Sequence, residues 1–228
     1  MDEHCAKWHE TLRIYFAVKQ VFILSEELDD DLCSSIQPIN QLRDALDHLM
    51  RVVAVTTNFR DTTFSLDELP KDFVDKNFNA AMNHLYRAFF DACDSVSISY
   101  REGIAKNLEG FSKDVILTAL PTYYQTMKPR IEAINNEIAA MRNSKGQYPK
   151  SREKGVDHYL AVLDELQKYY RETTAAEVSL IELQKIEKSE QAKASKEADR
   201  EKRFQAVLAI ACAVGGAVIG VMLGVLLH

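Results

Sequence analysis

Residues 73–107 read FVDKNFNAAMNHLYRAFFDACDSVSISYREGIAKN. Their apolar side chains Val74, Phe78, Met82, Leu85, Phe89, Ala92 and Val96 recur at three- and four-residue steps. That spacing draws one face on a 3.6-residue period and predicts a helix over the whole stretch. Upstream, 37–58 repeats the pattern with Ile39, Leu42, Leu46, Leu49, Met50 and Val53, and Pro38 suits a first helical turn, where its missing N–H costs nothing. The loop between carries Ser65 and Glu68 at capping-box spacing, followed by Pro70. A further helix is predicted over 3–28, with Trp8, Leu12, Tyr15, Phe16 and Phe22 on its stripe and Lys19 at the edge; Asp29 to Asp31 and Ser34-Ser35 end it. No alternating β pattern of useful length occurs. The expected class is all-α, an antiparallel bundle of about five helices, because short connections make successive helices antiparallel neighbours.

Further along, Gly110 marks a joint, and Pro121 and Pro129 bracket a break or short helix. A helix is predicted over 130–142, ended by Asn143-Ser144-Lys145-Gly146 and Pro149, residues that favour turns through left-handed backbone or a fixed φ. From Val156 neither proline nor glycine appears until Gly215, which predicts one long helix. Leu160, Leu163, Leu166, Tyr170, Val178, Ile181 and Ile186 give its first part an apolar face. The next part, 185–203, has almost none, and its alanine, glutamate and lysine content favours a helical stalk. The expected organisation is a bundle over 1–184, the stalk over 185–203 and a terminal segment over 204–227.

That segment reads FQAVLAIACAVGGAVIGVMLGVLL and holds no charge. A bilayer core of about 30 Å needs roughly 20 apolar residues in a helix, so a transmembrane helix is expected. Only His228 follows, which implies a tail-anchored, single-pass protein with the lipid bilayer as a partner. Lys196, Arg200, Lys202 and Arg203 precede the span and no basic residue follows, so the N-terminal domain is expected on the cytoplasmic side. Gly216, Gly220 and Gly224 recur every four residues, a spacing that lets membrane helices approach and favours a homodimer.

The net charge is −6, of which 185–203 contributes +2, leaving −8 on the rest. An acidic domain does not offer the broad positive surface that duplex binding needs, so no DNA partner is expected. Cys5, Cys33, Cys93 and Cys212 form no CxxC pair, which argues against a disulfide framework or a zinc site. No phosphate-binding glycine loop is present; no cofactor and no metal are expected. The pairs Tyr123-Tyr124 and Tyr169-Tyr170 read as packing residues.

One internal similarity bears on chemistry. Residues 45–51 read ALDHLMR and 81–87 read AMNHLYR, so both helices carry A-[LM]-[DN]-H-L-x-R. On antiparallel neighbours, His48 and His84 are expected at a similar height. Arg43, Asp47, Arg51, Arg87 and Asp91 lie within about two turns of them. These residues are either ordinary solvated ion pairs or a cluster able to move protons and hold a phosphate. Arg43 and His48, four residues between them, resemble the R-x4-6-H motif of HEPN-type helical ribonucleases; Arg152 and His158 also fit it. The resemblance implies an all-helical domain whose arginine and histidine meet those of a second protomer and cleave RNA without metal. Arg43 and His48 would then be catalytic, with Asp47, His84 and Arg87 as helpers. Two functions are therefore expected: a membrane-tethered interaction or effector module, self-associating and without chemistry, or a tethered HEPN-like ribonuclease of a toxin or defence system.

Overall fold

The computed structural model describes residues 3–29, 36–61, 65–66, 69–144 and 152–226, with side chains described throughout these except at 3–4, 142–144, 152–154, 211 and 213–226. Seven α-helices occur among the described residues: α1 (Glu3–Leu28), α2 (Ile36–Thr56), α3 (Phe73–Leu108), α4 (Lys113–Ala119), α5 (Lys128–Ser144), α6 (Arg152–Ala175) and α7 (Glu177–Leu226). The chain divides into two compact units, one of residues 1–109 with 120–175 and one of 110–119 with 176–228.

In the first unit α3 is the hub, and α1, α2 and α6 each pack against it. Its buried apolar residues, from Ala88 and Ala81 on one edge through Phe78, Leu85, Phe89 and Val96 to Tyr86, Ile104 and Leu108 on the other, cover a face of about 200°, with Arg87 and Glu102 exposed on the far side. A face wider than the usual stripe of about 100° needs more than one neighbour to cover it. α1 runs parallel to α3: Lys7 pairs with Asp75 at 2.6 Å, Trp8 meets Phe78 edge-on at 5.0 Å, and the Thr11 hydroxyl donates to Met82 Sδ at 3.4 Å. α6 is also parallel to α3. The buried Tyr159 tilts against Phe90 and donates to Asp94 at 2.6 Å, and further on Tyr170 tilts against Tyr100 at 5.6 Å. A Cβ on Gly103 would lie 2.6 Å from the Tyr170 ring, so α3 and α6 approach closely only because that side chain is missing. α2 and α5 run the other way, so successive long helices of this unit are antiparallel, as expected, while α1, α3 and α6 share one direction.

Local sequence sets the ends. Asn58 takes a left-handed φ of 53° and closes α2, the Phe59 N–H returning to the Ala54 carbonyl at 2.8 Å. Gly110, with φ 80°, follows α3. Ahead of α5 the chain widens into a π-helical turn over Tyr123–Met127, the Lys128 N–H reaching back to the Tyr123 carbonyl. Pro129 supplies the reason: without an N–H it leaves the preceding turn a bond short.

Two stripes read from periodicity are only partly right: Trp8 meets Phe78 and Leu42 packs on the core, but other members of each face solvent. On α1 the buried line is Thr11, Ile14, Val18, Val21 and Ser25, whereas Leu12, Tyr15 and Phe16 are exposed. On α2 the buried line is Pro38, Ala45 and Val52, and Ile39, Leu46 and Met50 are exposed. Small and β-branched side chains face α3 in both, which lets the backbones come close.

In the second unit α4 packs on α7, with Val115, Ile116 and Leu180 buried and Gln184 Nε2 donating to the Gly110 carbonyl at 2.8 Å. The single long helix expected from Val156 is corrected to two, because a turn at Ala176 separates α6 from α7. The expected transmembrane anchor at 204–227 is also corrected. Among the described residues no helix is long and apolar enough to cross a membrane. The tail-anchored topology, the single-pass membrane placement and the cytoplasmic orientation fall with that anchor. Gly216, Gly220 and Gly224, expected to mediate membrane-helix association, lie outside the described side chains.

Phe89 is fully buried at the centre of the α3 hub. Phe89→Ala should cost about 3–5 kcal/mol, read as a shift in the denaturant midpoint without loss of helical circular dichroism.

Candidate functional site

The repeat shared by α2 and α3 builds the most chemically dense place in the first unit. Ala45 and Ala81 hold the same position in the two copies and are 1% and 0% exposed, so the helices meet through their smallest side chains. His48 Nδ1 lies 2.9 Å from Asn77 Oδ1, and His84 Nδ1 lies 2.8 Å from Gln41 Oε1. Gln41 and Asn77 each stand seven residues before the histidine of their own helix. Each histidine therefore reaches the amide that precedes the other, which is a local two-fold arrangement. Between the two bonds the imidazoles stack, with centroids 5.5 Å apart and planes 22° from parallel.

The amides fix the tautomers. Asn77 Nδ2 donates to the Phe73 carbonyl at 2.8 Å, so Oδ1 must be the acceptor toward His48, and His48 Nδ1 carries the proton. The assigned orientation of Gln41 gives His84 the same tautomer. Each neutral ring then keeps its Nε2 lone pair. Neither Nε2 is a buried atom left without a hydrogen bond.

Burial holds the His84 pKa below the ordinary histidine value; the Asp44 charge opposes this, while His48 and Arg87 reinforce it. Asp44 sits one turn before His48. The Arg43 hydrogen bond keeps its carboxyl below the usual range, burial works against this, and the charges of Arg43, His84 and His48 add to the lowering.

The predicted residues thus separate into two groups. His48 and His84 come together, beside Asp44. Arg43 does not join them: its Nε and Nη2 donate to Asp44 Oδ1 at 3.1 and 2.8 Å, and its side chain is 70% exposed. Residues five apart on a helix point about 140° apart, so Arg43 and His48 occupy different flanks of α2. Asp47 is engaged by Arg51 at 2.7 Å, one turn on. Arg87 is exposed, close enough to His84 to disfavour its protonation. Gln41 and Asn77 were missed, although extending the repeat a few residues upstream would have found both. Among the described residues no group of three or more His, Cys, Asp or Glu side chains could hold a metal ion.

The other R-x4-6-H match falls at the start of α6. The Arg152 side chain lies outside the described residues; His158 Nε2 lies 3.5 Å from Glu137 Oε2. That carboxylate belongs to a network between α5 and α6. Arg130 bonds Glu165 at 3.0 Å and Glu137 at 2.5 Å, and the Tyr169 hydroxyl donates to Glu165 at 2.8 Å. Burial first, then the Glu165 hydrogen bond, pushes the Tyr169 pKa up to about 12. The network clamps two helices.

No family model matches the chain, and neither a curated protein nor a solved structure matches it.

Because folding lowers the His84 pKa, the unfolded chain takes up more protons below about pH 6.5. The His84 share of stability is complete above that pH and is lost as pH falls through it. Melting temperatures should drop between pH 7.5 and 5.5, and the drop should shrink in His84→Gln.

Proposed function

We propose that the first unit is a helical interaction module that works by self-association, without chemistry of its own. One observation carries this reading: α1 is apolar on two opposite faces. Its inner line packs on α3. Its outer line leaves Leu12 47%, Tyr15 41%, Phe16 56% and Ile23 44% exposed on a single helix. Fully burying such a side chain is worth about 1.5–3 kcal/mol, so each half-exposed one withholds roughly 1 kcal/mol that a partner would recover. Isolated exposed leucines need no explanation, but an ordered row on one face marks an interaction surface. The turning of Arg43 to Asp44 and away from His48, and the acidic balance of the protein, also favour an interaction role.

Sedimentation equilibrium of the full-length chain should report a concentration-dependent oligomer, and Phe16→Glu should return it to monomer with unchanged helical content. A wild-type chain that stays monomeric throughout the micromolar range overturns the reading.

A second reading, a HEPN-like ribonuclease, draws on the stacked histidines, whose Nε2 atoms are placed to give and take protons. RNA would then be the substrate. Cleavage of total RNA in EDTA that disappears in His48→Ala and in Arg43→Ala would favour it. Equal cleavage by both variants, or none by the wild type, removes it.

A further inference from the structure

The outer face of α1 has an internal order that specifies its partner. Cys5, His9, Leu12, Phe16, Lys19, Ile23 and Glu26 follow one another at alternating steps of four and three residues. This is the 3.5-residue period of a helix that packs along its length on another helix. All are exposed except Glu26, which is half-buried. The inner line, Thr11, Ile14, Val18, Val21 and Ser25, has the same period and is already occupied by α3. α1 therefore carries two seams, one filled and one vacant.

We propose that the vacant seam is filled by α1 of a second copy of this chain, running antiparallel in the register where facing residue numbers sum to 35. The proposal rests on the self-association reading above and names its geometry. In this register Leu12 faces Ile23 of the second copy, and the reciprocal pair repeats the contact. Phe16 faces Lys19, an ammonium over an aromatic ring. His9 faces Glu26, a cation–carboxylate pair when the imidazole is protonated. The two-fold axis makes every contact occur twice, as an isologous interface requires. A parallel, in-register pairing fails on charge: it stacks Lys19 on Lys19 and Glu26 on Glu26, where like charges at facing positions destabilise. Antiparallel packing also opposes the two helix dipoles. Along α1 the layers from His9 to Glu26 span about 26 Å at 1.5 Å per residue, most of the helix. The seam is short on large apolar side chains and has a lysine in the middle, so the dimer it specifies is weak and governed by concentration.

Charge reversal separates this arrangement from any other use of the same face. His9→Glu sets a carboxylate against Glu26 of the second copy twice per dimer, and should raise the dimer dissociation constant roughly tenfold, two pairs at up to about 1 kcal/mol each. Adding Glu26→Lys makes both facing pairs attractive and should restore the wild-type constant to within about threefold. In a parallel dimer the same double variant sets two carboxylates against each other at position 9 and two ammonium groups at position 26, so it would remain weak. The readout is sedimentation equilibrium of the full-length chain and each variant, with helical content checked by circular dichroism. Rescue by the second substitution supports the antiparallel second copy. A dimer lost in Phe16→Glu but unmoved by His9→Glu, or not rescued by the double variant, overturns the register and leaves self-association standing. A wild-type chain that never dimerises overturns both.

Discussion

α3 buries apolar residues over a little more than half of its circumference, and the first unit is organised by the need to cover them. Ala88 on one edge of the buried face and Tyr86 and Ile104 on the other point about 160° apart and cannot share one neighbour. Three long helices pack on α3, and each offsets its own conformational entropy by burying apolar residues there, small or β-branched ones on α1 and α2. The polar contacts follow from that packing and pin its register. The Lys7–Asp75 pair sets α1, and the Tyr159–Asp94 bond sets α6. On α2 the two histidine–amide bonds do the same work. Gly103 belongs to the same constraint, since the Tyr170 ring occupies the space a Cβ would need.

The histidine pair shows how a sequence repeat becomes a site. Two helices carrying the same heptad meet antiparallel through alanines, which brings their equivalent histidines face to face. Amides seven residues upstream then fix both tautomers. His84, partly removed from water beside a second imidazole, resists protonation, because burial and the like charge of His48 both favour its neutral form. Arg43, the obvious cationic companion in sequence, is drawn away by its own neighbour Asp44. Within one chain the pair therefore stands without Arg43 to hold a phosphate beside it.

α1 is apolar beyond the face that its packing on α3 uses. Its inner face satisfies the core, and its outer face carries more apolar surface than a solvated helix needs. The same feature explains why its sequence misleads. A helix with two apolar faces gives two valid stripes, and the larger side chains, Leu12, Tyr15 and Phe16, draw attention to the wrong one. On α2 the larger residues Ile39, Leu46 and Met50 mislead in the same way, because close helix contact selects the small Ala45.

Periodicity and punctuation by themselves determined the all-helical class, the span of α1, the stripe of α3 and the joints at Gly110 and Pro129. These depend on local backbone preference and on which residues share a face, and both are written in the chain. The repeat likewise brought His48 and His84 into view as equivalent positions. Tertiary structure alone decided which face of α1 and α2 meets the core, since that depends on the shape of the neighbour. It decided that Arg43 turns to Asp44, and that Gln41 and Asn77 hold the rings. It also decided that the helix after Val156 breaks at Ala176. There the chain passes from the core of one unit to that of the other, and no proline or glycine marks the change. A single helix's sequence specifies its own faces; only the surfaces of the other helices determine which of those faces loses its water.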